Sequence, residues 1–261
     1  MASVAPAPST ELAPLPILYR DDTLVAINKP SGLLVHRSPI DKHETRFAIQ
    51  QLRDQIGQRV YPVHRLDKPT SGVLLFALDS DTARQVSQHW HRAQKCYVAV
   101  VRGYAPEQVL IDHPLRYEPD RYGDADKSSC PVQAAQTEVK RLACFELGAA
   151  VERYPTSRYS LVQCQPKTGR KHQIRRHLKH ISHPIIGDAK HGKGIHNRYF
   201  AEHLQAPRLL LAATQLQFAH PNGGHTVCVD APLTDCFAEL LRRFGWCNAL
   251  PPQWLPDHAS G

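Results

Sequence analysis

"VYPVHRLDKPTSGVLLFALD", residues 60–79, sets an acid, Asp67, among His64, Arg65 and Lys68, immediately ahead of an apolar run. Lys68, Pro69, Thr70, Ser71 and Gly72 have the composition of a turn. Val73–Leu78 is uniformly apolar and reads as a strand buried on both faces. The stretch therefore predicts strand (60–64), turn (65–71) and strand (72–78), with Asp67 in the turn. An acid in that position is either a turn residue with incidental charged neighbours or a group held for chemistry.

Upstream, "ILYRDDTLVAINKPSG" (17–32) predicts two short strands around Arg-Asp-Asp, closed by a Lys-Pro-Ser-Gly turn. "RFAIQQLRDQI" (46–56) has helical spacing, with Phe47, Leu52 and Ile56 on one side. Downstream, Ser80 is the expected N-cap of a helix reaching about Ala93, and "KCYVAVVRG" (95–103) is a strand ended by Gly103. Residues 104–135, rich in Pro, Asp, Gly and Ser, form a long excursion where a family-specific insertion would sit. Strands are expected at 137–146, 158–164, 208–218 and 226–230, and helices at 170–181 and 234–244. Grouped strands with interspersed helices indicate an α+β sheet domain. Its expected extent is 17–247, between a disordered Pro/Ala-rich tail (1–16) and a Pro-rich tail (248–261).

The chain has 261 residues, 42% hydrophobic and 21% charged, enough for a sizeable core. Apolar runs such as Val73–Leu78 are far too short to span a membrane. The N-terminus lacks the basic start and apolar stretch of a signal peptide. Seven cysteines, an odd number without Cys-x-x-Cys, indicate reduced thiols in a cytoplasmic protein. A monomer is the default expectation. Without G-x-G-x-x-G or a Walker loop, no nucleotide cofactor is expected.

The charge is concentrated. Residues 165–200 hold nine Lys and Arg against Asp188 alone, a surplus equal to the +8 of the whole chain. Such a segment either faces solvent or meets a polyanion. Within it, "QPKTGRKHQIRRHLKHISHPIIGD" (165–188) places Ile174, Leu178 and Ile181 on one helical face, and Lys171, Arg175 and Lys179 in a basic row on another. His177, His180 and His183 are three apart, as metal ligands on a helix can be. No His-Glu-x-x-His and no cysteine pair accompany them, and the neighbours are cationic, so no metal is expected; phosphate contact or helix packing suits them better. Tyr97, mid-strand, is either core or a platform on which an unstacked base rests.

"AINKPSGLLVH" (26–36), "HRLDKPTSGVLL" (64–75), "KCYVAVVRG" (95–103) and "PKTGRKHQIRRHLKHISHPIIGD" (166–188), in this order, resemble the RluA-type pseudouridine synthases over about residues 17–245. "HPIIGDAKHG", "NRYF" and "RYPTSRY" resemble the subgroup acting at position 65 of tRNA. The resemblance implies a pseudouridine synthase fold, a mixed, largely antiparallel sheet with flanking helices and a central catalytic cleft. It also implies isomerisation of a uridine in tRNA, without cofactor. The same chemistry on another tRNA position or on ribosomal RNA, and a catalytically silent RNA-binding module, are the alternatives. By the resemblance, Asp67 is the catalytic aspartate, Arg175 its pairing arginine, and Tyr97 the residue that stacks on the target base and can help remove a proton. Attack at the sugar, attack at the base and a glycal route all remain open. Expected RNA contacts are Lys29, Arg65, Lys167, Arg170, Lys171, His172, Arg176, Lys179, Lys190 and Lys193. The target uridine must be extruded from its stem, at about a few kcal/mol, and phosphate contacts would offset this.

Overall fold

The computed structural model describes residues 13–37, 43–118 and 130–256. Strands β1 (Ile17–Arg20) and β2 (Leu24–Lys29) form a hairpin at Asp21. The Asp21 carboxylate accepts the backbone N–H groups of Thr23 (2.7 Å) and Leu24 (2.8 Å), which fixes the turn. Helix α1 (Ala48–Ile56) buries Leu52 and ends at Gly57. A short strand β3 (Tyr61–Pro62) leads through the 64–70 turn into β4 (Ser71–Ala77), all seven residues of which are buried. Helix α2 (Ser80–His89) is capped by Asp79 instead of Ser80, because the Asp79 carboxylate accepts the Thr82 N–H (2.8 Å).

The remaining elements are β5 (Gln94–Arg102), β6 (Gln108–Asp112), β7 (Leu115–Arg116), β8 (Val132–Gln133), β9 (Gln136–Leu147) and β10 (Ser157–Pro166). They continue with α3 (Gln173–His180), α4 (Gly194–His203), β11 (Leu211–Ala219), β12 (Thr226–Asp230) and α5 (Asp235–Arg243). The main sheet runs β1-β2-β4-β11-β5-β10-β9-β6, with β3 paired to β4 and β12 to β11. Among the described residues every pairing between these strands is antiparallel except β4 with β11. That junction depends on Gly72, whose φ is +109°, where a Cβ would lie 2.0 Å from the Ala213 carbonyl oxygen.

Alternation along β5 builds two layers. Val98 and Val100 face a cluster closed by Phe200 of α4, Phe237 and Leu241 of α5, and Trp246. Ala99 and Val101 face the opposite cluster, where Ile174 and Leu178 anchor α3.

Two expected boundaries shift, and the excursion after Gly103 carries strands: β6 joins the main sheet edge, and β7 pairs with β8. The Pro-rich tail is not loose from residue 248, because Leu250 and Trp254 are buried and the Trp254 indole donates to Asp230 (2.8 Å). The N-terminal tail ends before Leu15, which is buried and bonds through its backbone to the Gln55 side chain; residues 1–12 of that tail lie outside the described residues. All seven cysteines are free. Among the described residues, no helix is long and apolar enough to cross a membrane.

Candidate active site

Two turns hold Asp67. Its own carbonyl accepts the Thr70 N–H (3.0 Å), closing a tight turn. The Lys-Pro-Ser-Gly turn packs against it: Gly32 N–H and Lys29 Nζ donate to the Lys68 carbonyl (2.9 and 3.1 Å), and Ser31 Oγ donates to that of Pro69 (2.7 Å). The side chain of Asp67 stays a quarter exposed, reachable by a substrate.

The partner comes from 108 residues further on. Arg175 Nη1 donates to Asp67 Oδ2 (2.9 Å), while its Nε and Nη2 form a fork onto Asp188 (2.7 and 2.8 Å). Asp188 is wholly buried and also accepts the backbone N–H groups of Lys190 (3.0 Å) and His191 (2.9 Å). Burial works to raise the Asp188 pKa but is outweighed by the hydrogen bonds and charge of Arg175, so the carboxyl sits below its ordinary range. One guanidinium thus joins a buried carboxylate to an accessible one. Gly187, next to Asp188, packs its backbone directly on that of Arg208, since a Cβ at its φ of +79° would lie 1.8 Å from the Arg208 carbonyl oxygen.

Tyr97 is placed by register: Ala213 of the central β11 pairs with Gly72 on one side and Tyr97 on the other. The tyrosine backbone therefore lies two strand spacings, roughly 10 Å, from that of Gly72. Burial, then the Asp67 charge, raises its hydroxyl above the ordinary tyrosine range and keeps it protonated.

His172 heads α3 in the left-handed conformation (φ 54°, ψ 26°). Its Nε2 lies 3.9 Å from Asp67 Oδ2 and its Nδ1 3.1 Å from His191 Nε2. Gln173 holds the preceding loop, accepting from Thr168 Oγ1 (2.7 Å) and Arg170 N (3.0 Å) and donating to Gln136 O and Thr137 Oγ1 (both 2.9 Å).

Several expected RNA contacts are placed otherwise. Lys29 is fully buried, its ammonium donating to the carbonyls of Pro30, Leu33 and Lys68 (2.9, 2.8 and 3.1 Å), so it braces the turn and cannot meet a phosphate. Burial and then the Arg208 charge lower its pKa to about 7, against the pull of Asp67. The basic row fails at its middle, because Arg175 turns inward while Lys179 is exposed. Lys167, Lys190 and Lys193 already meet Glu138, Glu118 and Glu152, and Arg176 donates to the Arg116 carbonyl (3.0 Å). Arg170 donates to the Ala134 carbonyl (3.0 Å). Lys171 is half-buried, and Arg65 is exposed on the Asp67 turn. Exposed pairs of this kind are worth about 0–1 kcal/mol.

The three spaced histidines diverge. His177 bonds Thr137 Oγ1 and the His113 carbonyl (both 2.9 Å), His180 stacks on His113 at 3.7 Å, and His183 meets the Arg102 carbonyl (2.9 Å). They pack the helix.

Residues 23–180 match the family of RNA pseudouridylate synthases. The chain belongs to that family. It is 50% identical over 239 residues to a tRNA pseudouridine synthase C of Vibrio cholerae, covering 90% of this chain and 98% of that protein. A tRNA pseudouridine synthase C of Haemophilus ducreyi is 50% identical over 234 residues, covering 89% of this chain and 96% of its own. The solved structure of human RNA pseudouridylate synthase domain containing 4 aligns with a TM-score of 0.65 at 26% identity, over 88% of this chain and 93% of that one. Human RNA pseudouridylate synthase domain containing 1 shares the fold, with a TM-score of 0.64 at 24% identity over 92% of this chain and 98% of that one.

Sequence reasoning missed Asp188 and Arg208. Asp188 had a signal, being the one acid in a run of nine cations. Arg208 had none; its Nη2 donates to Ser71 Oγ (2.6 Å), tying the segment just before β11 to the end of the Asp67 turn.

Proposed function

We propose that this pseudouridine synthase isomerises a uridine of tRNA, at position 65, with Asp67 as the group that acts at the sugar or the base. The observation carrying this is the single guanidinium bond to Asp67 from an arginine whose fork is committed to buried Asp188. The guanidinium 2.9 Å away orients the Asp67 side chain toward the open site, where nucleophilic attack or stabilisation of charge at the anomeric carbon would use a carboxylate. Tyr97, across Ala213, is the platform for the extruded base. The tRNA substrate is supported by relatives about half identical along almost the whole chain that are named tRNA pseudouridine synthase C. Cytoplasmic location agrees with seven free thiols.

The test is incubation of pure protein with a tRNA transcript, followed by mapping of pseudouridine at each uridine. Asp67→Asn should abolish product while leaving RNA affinity within a few-fold. Product at a different uridine overturns position 65, and a tenth or more of wild-type turnover in the variant overturns the role of Asp67.

A further inference from the structure

Moving the glycosidic bond from N1 to C5 of uracil leaves a hydrogen on C5 that must go. We propose that the His172 imidazole takes this proton through Nε2, with His191 orienting the ring. The inference rests on Asp67 marking where the uridine sits. In the step, the C5–H bond breaks and its electron pair becomes the C5=C6 double bond. The C6=N1 pair withdraws onto N1, which takes a proton from water, and His172 later returns its proton to solvent.

Geometry singles out this ring. Its Nε2 lies 3.9 Å from Asp67 Oδ2, too far for a direct hydrogen bond but close enough to face a base held at that carboxylate. Its Nδ1 lies 3.1 Å from His191 Nε2, so donation of Nδ1–H to His191 leaves the Nε2 lone pair directed at the site. His191 is itself fixed by its backbone N–H on Asp188, the carboxylate that holds Arg175. The contacts close a ring: Asp67, Arg175, Asp188, His191, His172. A left-handed backbone at a residue with a Cβ persists only where surroundings impose it, and such positions gather at functional sites.

The electrostatics agree. Burial lowers the His172 pKa, Asp67 and Glu118 oppose this, and Arg175 and Lys190 add to it, leaving a neutral base at pH 7. Once protonated, the ring meets the charges of Asp67 and Glu118. Tyr97, which feels the Asp67 charge, keeps its hydroxyl proton at pH 7 and so does not present a phenolate that could take this one.

Two variants suit the backbone: His172→Asn, because Asn tolerates the left-handed region, and His172→Gly, which leaves space for free imidazole. Single-turnover rates would be measured on tRNA transcribed with ordinary or 5-deuterated UTP, after circular dichroism confirms folding. The expected result is a drop of about 10²–10⁴-fold in both variants. A primary isotope effect should appear that the wild type lacks, and added imidazole should restore His172→Gly. A loss of rate with neither isotope effect nor imidazole rescue overturns the inference, as does an isotope effect that appears in Tyr97→Phe instead. An active Asp67→Asn would defeat the underlying assignment of the site, whereas an inactive one beside an isotope-silent His172→Asn defeats this inference alone.

Discussion

Asp188→Asn removes one charge from a place with no solvent to replace it. The wild-type carboxylate has a side-chain exposure of 0% and faces an arginine side chain at 7%, so little screening applies. The amide keeps the shape but turns an N–H₂ toward Arg175 or the backbone donors of Lys190 and His191, and leaves the guanidinium under-compensated. Removing one partner of a buried pair costs about 3–5 kcal/mol. At about 2–4 °C per kcal/mol for a domain of this size, the melting temperature should fall by roughly 6–20 °C. Asp54→Asn is the internal control, because Arg53 and Asp54 pair at 52% and 66% exposure and their loss should move the melt by no more than about 2–4 °C. The Asp188 carboxyl is held below its unfolded range, so its contribution is present above about pH 4 and vanishes as pH falls through the folded value. Thermal unfolding at pH 7 followed by circular dichroism, with pseudouridine formation measured below the transition, reads both effects. A melt within about 2 °C of wild type, or full turnover in the folded variant, would show that Arg175 needs no buried anchor.

Acid should weaken the fold through its neutral histidines: burial first, with Lys95 for His64 and Arg175 for His191, lowers them to about 3 and about 4. Unfolded histidine binds its proton near 6.5, so stability is full above about pH 6.5 and falls toward pH 4, with His191 alone accounting for on the order of 3 kcal/mol. Urea unfolding at stepped pH should show this slope and its flattening in His191→Gln; an unaltered slope in that variant refutes the assignment. Lys171→Gln with Lys179→Gln should weaken tRNA binding and flatten its log–log salt dependence by about 1.4–1.8, while the rate at saturating tRNA changes little. Titrations at several salt concentrations test it, and unchanged slopes would place both lysines off the RNA path.

The turn around Asp67 and the strands beside it were legible because their residue types have few alternatives: Pro and Gly for turns, six apolar residues for a doubly buried strand. Helix α4 was not, since it starts at Gly194 and buries only His196 and Phe200, too sparse a pattern to show periodicity. The strands β6–β8 were hidden by their Pro- and Asp-rich surroundings. Lys29 misled because a lysine is ordinarily outside; three carbonyls supplied by chain folding, invisible in one dimension, keep it in. Asp67, Tyr97 and Arg175 were named through family motifs, but the fork onto Asp188 and the His172–His191 contact belong to tertiary structure alone.

Strand β11 lies between β4 and β5, yet is synthesised more than a hundred residues after either. Until residue 219 leaves the ribosome, β5 has no partner on the side that will meet it, and β4 has there only β3, at Phe76 and Ala77. At about 5–20 residues per second, the interval from Arg102 to Ala219 lasts roughly 6–23 s. During that time two apolar strand edges stand open, a configuration that invites pairing with other chains. The nascent protein is most exposed to misassembly when nearly all of it has already been made, and a translational pause or premature stop in the 180s or 190s would be more hazardous than one near residue 60.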